Sequence, residues 1–362
     1  MAETAALAGV DPRLAPIEPV RLARAKTAYT VRRVALEPST VLLAEPDGPP
    51  QPGDVVLARV AGVGQHTRIE RPDGRRANLF PGDEVIVAYG NRYAPDQYEA
   101  EVPGDLGPCA LVAAGGVAAR MVTRHANIGA PTQLEPVGLL AHHSGERVNL
   151  ADWALPPARP SRRRVPTIAV VGTAMNAGKT TTAAGVIRGL RAAGMRVGAA
   201  KVTGTGAGGD LWLFADAGAD PVLDFTAAGM ASTYLASLET IEHALTLLHG
   251  HLAAAGVDAI VLEVADGLYQ SETAALITGA VFREAVDGVL FAAADALGAH
   301  AGVAWLRERE LPVIGVSGRV TASPLAAREA SASADVPVLD LEALGAADVA
   351  ALLATATVPR AA

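Results

Sequence analysis

The chain has 362 residues, half of them hydrophobic but only 4% aromatic, and a formal net charge of −8. That length suits about two domains of ~100–200 residues each, and the alanine-rich apolar fraction suits helices packed closely on a sheet. An acidic chain gains nothing from the counterion release that drives DNA or RNA binding, and no ~18-residue apolar run exists, so neither a nucleic-acid partner nor a membrane span is expected.

The first twenty residues mix Glu3, Asp11, Arg13 and Glu18 with prolines, so no secretory leader is expected. Cys109 is the single cysteine. It can form no internal disulfide and no thiolate metal cluster, and with no activating partner in view it reads as structural. Together these features predict a cytoplasmic protein.

Residues 1–155 are rich in Pro, Gly and Arg, with short β-branched runs such as Asp54–Val60 and Glu84–Ala88. Each of these runs follows a Pro-Gly-Asp turn, at Pro52–Asp54 and Pro81–Asp83, and Arg71–Arg76 is a further turn signal. Short strands between such turns predict a small β-rich barrel or sandwich. Residues 156–166 (PPARPSRRRVP) carry four prolines and four arginines and read as a linker. Arg162–Arg164 is most simply solvated, although an arginine there could reach a phosphate.

From 167 to 362 the pattern changes to apolar β-runs alternating with alanine-rich helical stretches. Strands are predicted at Thr167–Val171, Val197–Lys201, Ala259–Glu263, Gly288–Ala292 and Pro312–Val316. Helices are predicted near Thr180–Ala193, Leu238–Ala255, Glu272–Glu284, Gly298–Arg309 and Ser323–Ala334. This alternation predicts an α/β domain with a mainly parallel sheet flanked by helices.

The segment Gly172-Thr-Ala-Met-Asn-Ala-Gly-Lys-Thr180 fits G-x-x-x-x-G-K-[ST], preceded by an apolar strand and followed by a helix. Backbone N–H groups of such a loop wrap a phosphate, and its glycines allow the close approach. Gly172, Thr173, Asn176, Ala177, Gly178, Lys179, Thr180 and Thr181 are therefore the candidate nucleotide-binding residues. Lys179 would neutralise the β- and γ-phosphates, and the Thr180 hydroxyl would face Mg2+. Magnesium needs further carboxylate oxygens. Glu263 ends a strand and Asp210 closes the glycine-rich loop after another, both on the C-terminal sheet edge, while Asp266 is a rival. Lys201 ends a strand at the same edge and could stabilise a transferring phosphoryl group.

At these residues the chain resembles dethiobiotin synthetase and its P-loop relatives, over roughly Thr167–Leu339. The matching segments are GTAMNAGKT, VGAAKV, GGDLWLF and IVLEVADG. The resemblance implies that Thr180, Asp210 and Glu263 hold Mg2+, that Lys179, Lys201 and Glu263 are catalytic, and that ATP activates a small acidic substrate as a mixed phosphate anhydride. ATP is the default nucleotide, with GTP not excluded, and a homodimer is possible because family members build their site across one. Candidate substrate-binding residues are Thr203, Asp224 and Asp266. Glu-Val-Ala-Asp-Gly replaces the family's glycine-rich stretch, and Ser317-Gly-Arg-Val stands where its asparagine-containing adenine site would be, so dethiobiotin synthesis itself is not expected. A weaker likeness, in the P-loop and in VLDF at Val222–Phe225, is to a two-domain P-loop family linked to D-glutamate N-acetylation. The molybdopterin-guanine dinucleotide accessory proteins share a comparable loop, so a nucleotide-hydrolysing accessory or switch protein for cofactor or metal-centre assembly is the alternative class.

Other residues invite a role with a plainer reading beside it. Asp295 and Ser232–Tyr234 could touch substrate or cap helices. The pair His142-His143 reads as a loop, and His243, His249 and His251 suit a helix C-terminus better than a metal site.

Overall fold

The computed structural model describes residues 13–37, 39–161 and 163–356, so Glu3, Asp11 and Arg162 lie outside the described residues. Two compact units are present. One comprises the chain to Tyr93 with Gln97–Trp153 and Gly229–Ala231, and the other holds Ala94–Asp96, Ala154–Ala228 and the chain from Ser232 onward. Among the described residues no helix is long and apolar enough to cross a membrane.

The first unit is β-rich, and its strand pairing closes on itself. Thr132–Ala141 pairs with Val55–Gly62, that strand with Glu84–Tyr89, and that with Val117–Arg124; Cys109–Ala113 then joins Val117–Arg124 back to Thr132–Ala141. Five strands thus form a small closed barrel, which removes most sheet edges. Alternate side chains divide between two cores, with Val55, Leu57, Ile86 and Ala88 in one and Val56, Ala58, Val85 and Val87 in the other. The two Pro-Gly-Asp turns are built alike. Asp54 Oδ2 accepts from the Gln51 amide at 2.9 Å, and Asp83 Oδ2 accepts from the Phe80 amide at 2.8 Å. Each carboxylate closes its turn three residues back, and the strands the two turns introduce pair antiparallel with each other. Cys109 is buried in its strand, and burial pushes its thiol up to about 12, which keeps it unreactive.

The second unit is a six-stranded, wholly parallel sheet flanked by helices. Across the sheet the order is Val222–Asp224, Val197–Lys201, Ala259–Glu263, Thr167–Gly172, Gly288–Ala292 and Val313–Ser317. Apolar cores cover both faces, as a parallel sheet requires. Beyond Val313–Ser317, residues 337–339 run alongside the edge: Val316 N–H donates to Pro337 O and Leu339 N–H to Val316 O, both at 2.8 Å.

Two features differ from the sequence expectation. Val222–Asp224 is a sixth strand, too short at three residues to show a pattern. The helix expected at Glu272–Glu284 is two, Ser271–Thr278 and Ala280–Ala285, broken at Gly279, whose extended backbone a helix interior does not allow. Of the linker arginines, Arg163 and Arg164 are mostly exposed, as a solvated linker implies, and their partners lie away from the phosphate loop. Arg163 pairs with Asp258 and Arg164 with Asp287, and these aspartates precede the strands Ala259–Glu263 and Gly288–Ala292 at the opposite sheet edge from the phosphate loop. His251 Nε2 lies 2.7 Å from the Pro156 carbonyl and His249 Nε2 3.1 Å from Thr167 Oγ1, so these histidines hold structure rather than a common metal.

Candidate functional site: a phosphate loop and its charged neighbours

The loop from Gly172 to Thr180 leaves a central strand and enters the helix Lys179–Ala192, so strand, loop and helix follow one another as a phosphate-binding loop requires. Two conformations shape it. Asn176 has φ +61°, which asparagine tolerates, and Gly178 has φ +96°. Gly178 is also tight for a side chain, because an added Cβ would lie 3.0 Å from Gly318 Cα. The Arg319 amide donates to Ala177 O at 2.9 Å, tying the loop to the turn after the last strand. Thr173 N–H donates to Ala292 O at 3.0 Å, and Lys179 Nζ donates to Ala174 O at 2.7 Å. Thr181 follows in the first helical turn, exposed at the mouth of the loop.

Strand register brings the charged residues together. In parallel pairing Lys201 lies opposite Glu263 on one side and Asp224 on the other, so the three form a row at the C-terminal edge. Thr180 Oγ1 donates to Glu263 Oε1 at 3.0 Å. Asp210, at the start of the helix Gly209–Asp216, forms a short ion pair with Lys201. Burial lowers the Lys179 ammonium from its ordinary value, partly offset by Glu263 and Asp266. Burial raises the Glu263 carboxyl against the opposing charge of Lys201. Lys201 is raised although burial opposes it, because Glu263 and Asp210 favour its charge. Lys179 and Lys201 therefore share one corner of the sheet with the carboxylates of Glu263, Asp210 and Asp266.

The candidate substrate residues take different places. Asp266 has φ +67° and is half-buried, and burial pushes its carboxyl up to about 6. Its loop is tethered through the preceding residue, Ala265, at both its amide and its carbonyl. Thr203 Oγ1 accepts from the Ala265 amide at 2.8 Å, and the Thr273 hydroxyl donates to Ala265 O at 2.9 Å. Thr203 thus positions the segment carrying Asp266. Asp224 Oδ1 accepts from the Thr226 amide at 3.0 Å and from its hydroxyl, closing its own turn. Thr233 accepts from the Gly204 amide at 2.8 Å, and Asp295 caps the helix Ala296–Glu308 through the Gly298 amide at 2.7 Å.

Glu263 Oε2 and the Thr173 hydroxyl are buried with no hydrogen-bond partner. Such atoms are rare in folded proteins unless a ligand or ion completes them. The oxygens of Thr180, Asp210 and Glu263 are hard donors of the kind Mg2+ takes alongside phosphate, so the donor set fits that ion. Not foreseen from the sequence is a second wall beside the loop, formed by the turn after Ser317 and by Asp340–Glu342. Its one sequence signal is the Ser-Gly-Arg turn after the last strand.

No family model matches the chain, and no curated protein matches it. Among solved structures it is similar to the signal recognition particle 54 kDa protein of Aeropyrum pernix K1 in complex with GDP, at 17% identity, 55% of this chain, 48% of that one and a TM-score of 0.36. It is similar also to the receptor FtsY of Elizabethkingia anophelis in complex with GDP (15% identity; 56% and 66% of the chains; TM-score 0.38) and to FtsY of Thermotoga maritima (14%; 58% and 74%; 0.36). The chain spans about half the length of the first of these. These are loose likenesses, and the functional reading rests on the geometry of the loop and its neighbours.

Proposed function

We propose that the α/β unit binds a magnesium–nucleoside triphosphate and transfers its terminal phosphoryl group to a small acidic metabolite, in the manner of dethiobiotin synthetase-like enzymes. The observation that carries the proposal is the convergence of Lys201, Asp210, Glu263 and Thr180 beside the phosphate loop. Backbone N–H groups of Gly172–Gly178 would cradle the phosphates, with Lys179 on the β- and γ-oxygens. Thr180, Asp210 and Glu263 would hold Mg2+, which when bound neutralises charge spreading over the transferring group. Lys201, kept protonated by its carboxylate neighbours, would bind the acceptor's acidic group and the γ-phosphate together. Asp266, held over the site by its tethered loop, would orient the acceptor. The chain's part in the chemistry is positioning and charge stabilisation, with no covalent protein intermediate.

A thermal-shift screen of triphosphates with Mg2+, then of carboxylate metabolites with the best nucleotide, tests the proposal, since a ligand of the folded state raises the melting midpoint. Stoichiometric loss of a metabolite with phosphate release is the expected result, and Lys179→Ala should lower kcat by ~100-fold or more. Hydrolysis indifferent to every metabolite but stimulated by a protein would favour the accessory class instead. No shift with any triphosphate would end both readings.

A further inference from the structure

The phosphate loop alone does not say where the rest of a nucleotide goes. Beside it lies a cavity of about 390 Å3, within the ~300–1,000 Å3 range of small-molecule sites. Gly178 and Thr181 of the phosphate site belong to its wall, so a nucleotide with its phosphates in the loop continues directly into it. The wall also includes Thr182, Arg319, Asp340 and Glu342. Thr182 is fully buried behind this wall, whereas Thr181 is exposed and can offer its hydroxyl to a ligand.

The charges of that wall are not spent on one another. Among the described ion pairs none joins Arg319 to Asp340 or to Glu342. Asp340 uses Oδ1 to cap the Ala343 amide at 2.8 Å, and the exposed Glu342 has both oxygens to offer.

We propose that this cavity is the nucleobase site and that Glu342, supported by Asp340, selects guanine over adenine. The inference rests on the reading that the loop holds a triphosphate. Guanine presents two adjacent donors, its N1–H and 2-amino group, and an ionised carboxylate is an acceptor-only group that takes both. At the same edge adenine has an unprotonated N1, an acceptor that a carboxylate repels. The Arg319 guanidinium is free to lie against the face of the base, where planar cations stack well.

The test is competition on the full chain with Mg2+, displacing a fluorescent N-methylanthraniloyl GTP or ATP with GTP, ATP and XTP. GTP should displace at roughly tenfold lower concentration than ATP, the discrimination expected of one bidentate pair. Glu342→Gln should weaken GTP by about the same factor and improve XTP, because xanthine's 2-oxo group accepts from the new amide. Asp340→Asn keeps the helix cap and should narrow the GTP preference more mildly. Glu342 is exposed, so an unchanged melting midpoint will show that the variant is folded. ATP binding as tightly as GTP, or a preference untouched in Glu342→Gln, overturns the guanine assignment while leaving the phosphate site standing. Absence of binding by any triphosphate overturns the phosphate-site reading and this one with it.

Discussion

Replacing Gly318 with alanine tests whether the phosphate loop is held by the turn after the last strand. Gly318 has φ +95° and ψ −158°, a region occupied almost only by glycine and costing other residues ~1–3 kcal/mol. An added Cβ would lie 2.4 Å from the Ala177 carbonyl and 2.9 Å from the Ala293 amide nitrogen. Both are backbone atoms, which cannot swing aside as the end of a long side chain does, and overpacking adds a further ~1–3 kcal/mol. The sum, about 2–6 kcal/mol, corresponds to a fall in Tm of roughly 4–24 °C at ~2–4 °C per kcal/mol for a domain of this size. The matched control is Gly209→Ala, in the helix Gly209–Asp216, where an added Cβ meets nothing within 4 Å. That change should be neutral or stabilising by up to ~1 kcal/mol. Circular-dichroism melts and a nucleotide titration measure both variants. Because the clash falls on Ala177, inside the loop, Gly318→Ala should lose nucleotide affinity as well as stability. A Gly318→Ala protein that melts with the wild type and binds nucleotide normally would refute the reasoning.

Two pH dependences should run in opposite directions. The Asp266 carboxyl sits at about 6 in the fold against an ordinary 3.8, so the native state retains a proton that the unfolded chain releases. Its contribution is therefore present at low pH and lost as pH rises from about 4 to about 6, by up to ~3 kcal/mol. Denaturant titrations of Asp266→Asn should show a flatter profile across that window, and an unaltered slope would count against the buried carboxyl. In the barrel unit, burial and then the charge of Arg92 lower the His66 imidazole to about 4. Here the unfolded chain takes the proton first, so stability is lost as pH falls from about 6.5 to about 4, by roughly 3 kcal/mol. An NMR titration that finds the His66 ring protonating near 6.5 would contradict this.

Much of the α/β unit was legible because its signals are local. Five strands were visible as apolar runs bounded by turns, and the loop from Gly172 to Thr180 carries its own glycines and lysine. The row of Asp224, Lys201 and Glu263 was only half legible. Each residue could be placed at a strand end, but their adjacency depends on strand order and register, which three distant segments settle together. The closed barrel was harder for the same reason. Pro-Gly-Asp turns mark where strands begin, whereas closure needs Cys109–Ala113 to pair with two strands at once. Asp340 and Glu342 gave no signal at all. Nothing in Leu339–Leu344 distinguishes a cavity wall from a capped surface helix until the chain's return to the sheet places it beside Gly178 and Thr181.

That return has a further consequence. A five-residue strand at the border of a parallel sheet offers a ladder to any neighbouring molecule, and such ladders are where sheets grow from chain to chain. Here residues 337–339 already occupy it, with Val338 bridging Val316, and the opposite border is only three residues long and begins directly after Pro221. The sheet is thus guarded against intermolecular extension on both sides. Because the guarding segment runs straight on into Asp340, the same stretch of backbone that discourages aggregation also sets where the cavity wall stands. Mutations that loosen it should show up first as a tendency to self-associate and only then as altered ligand preference.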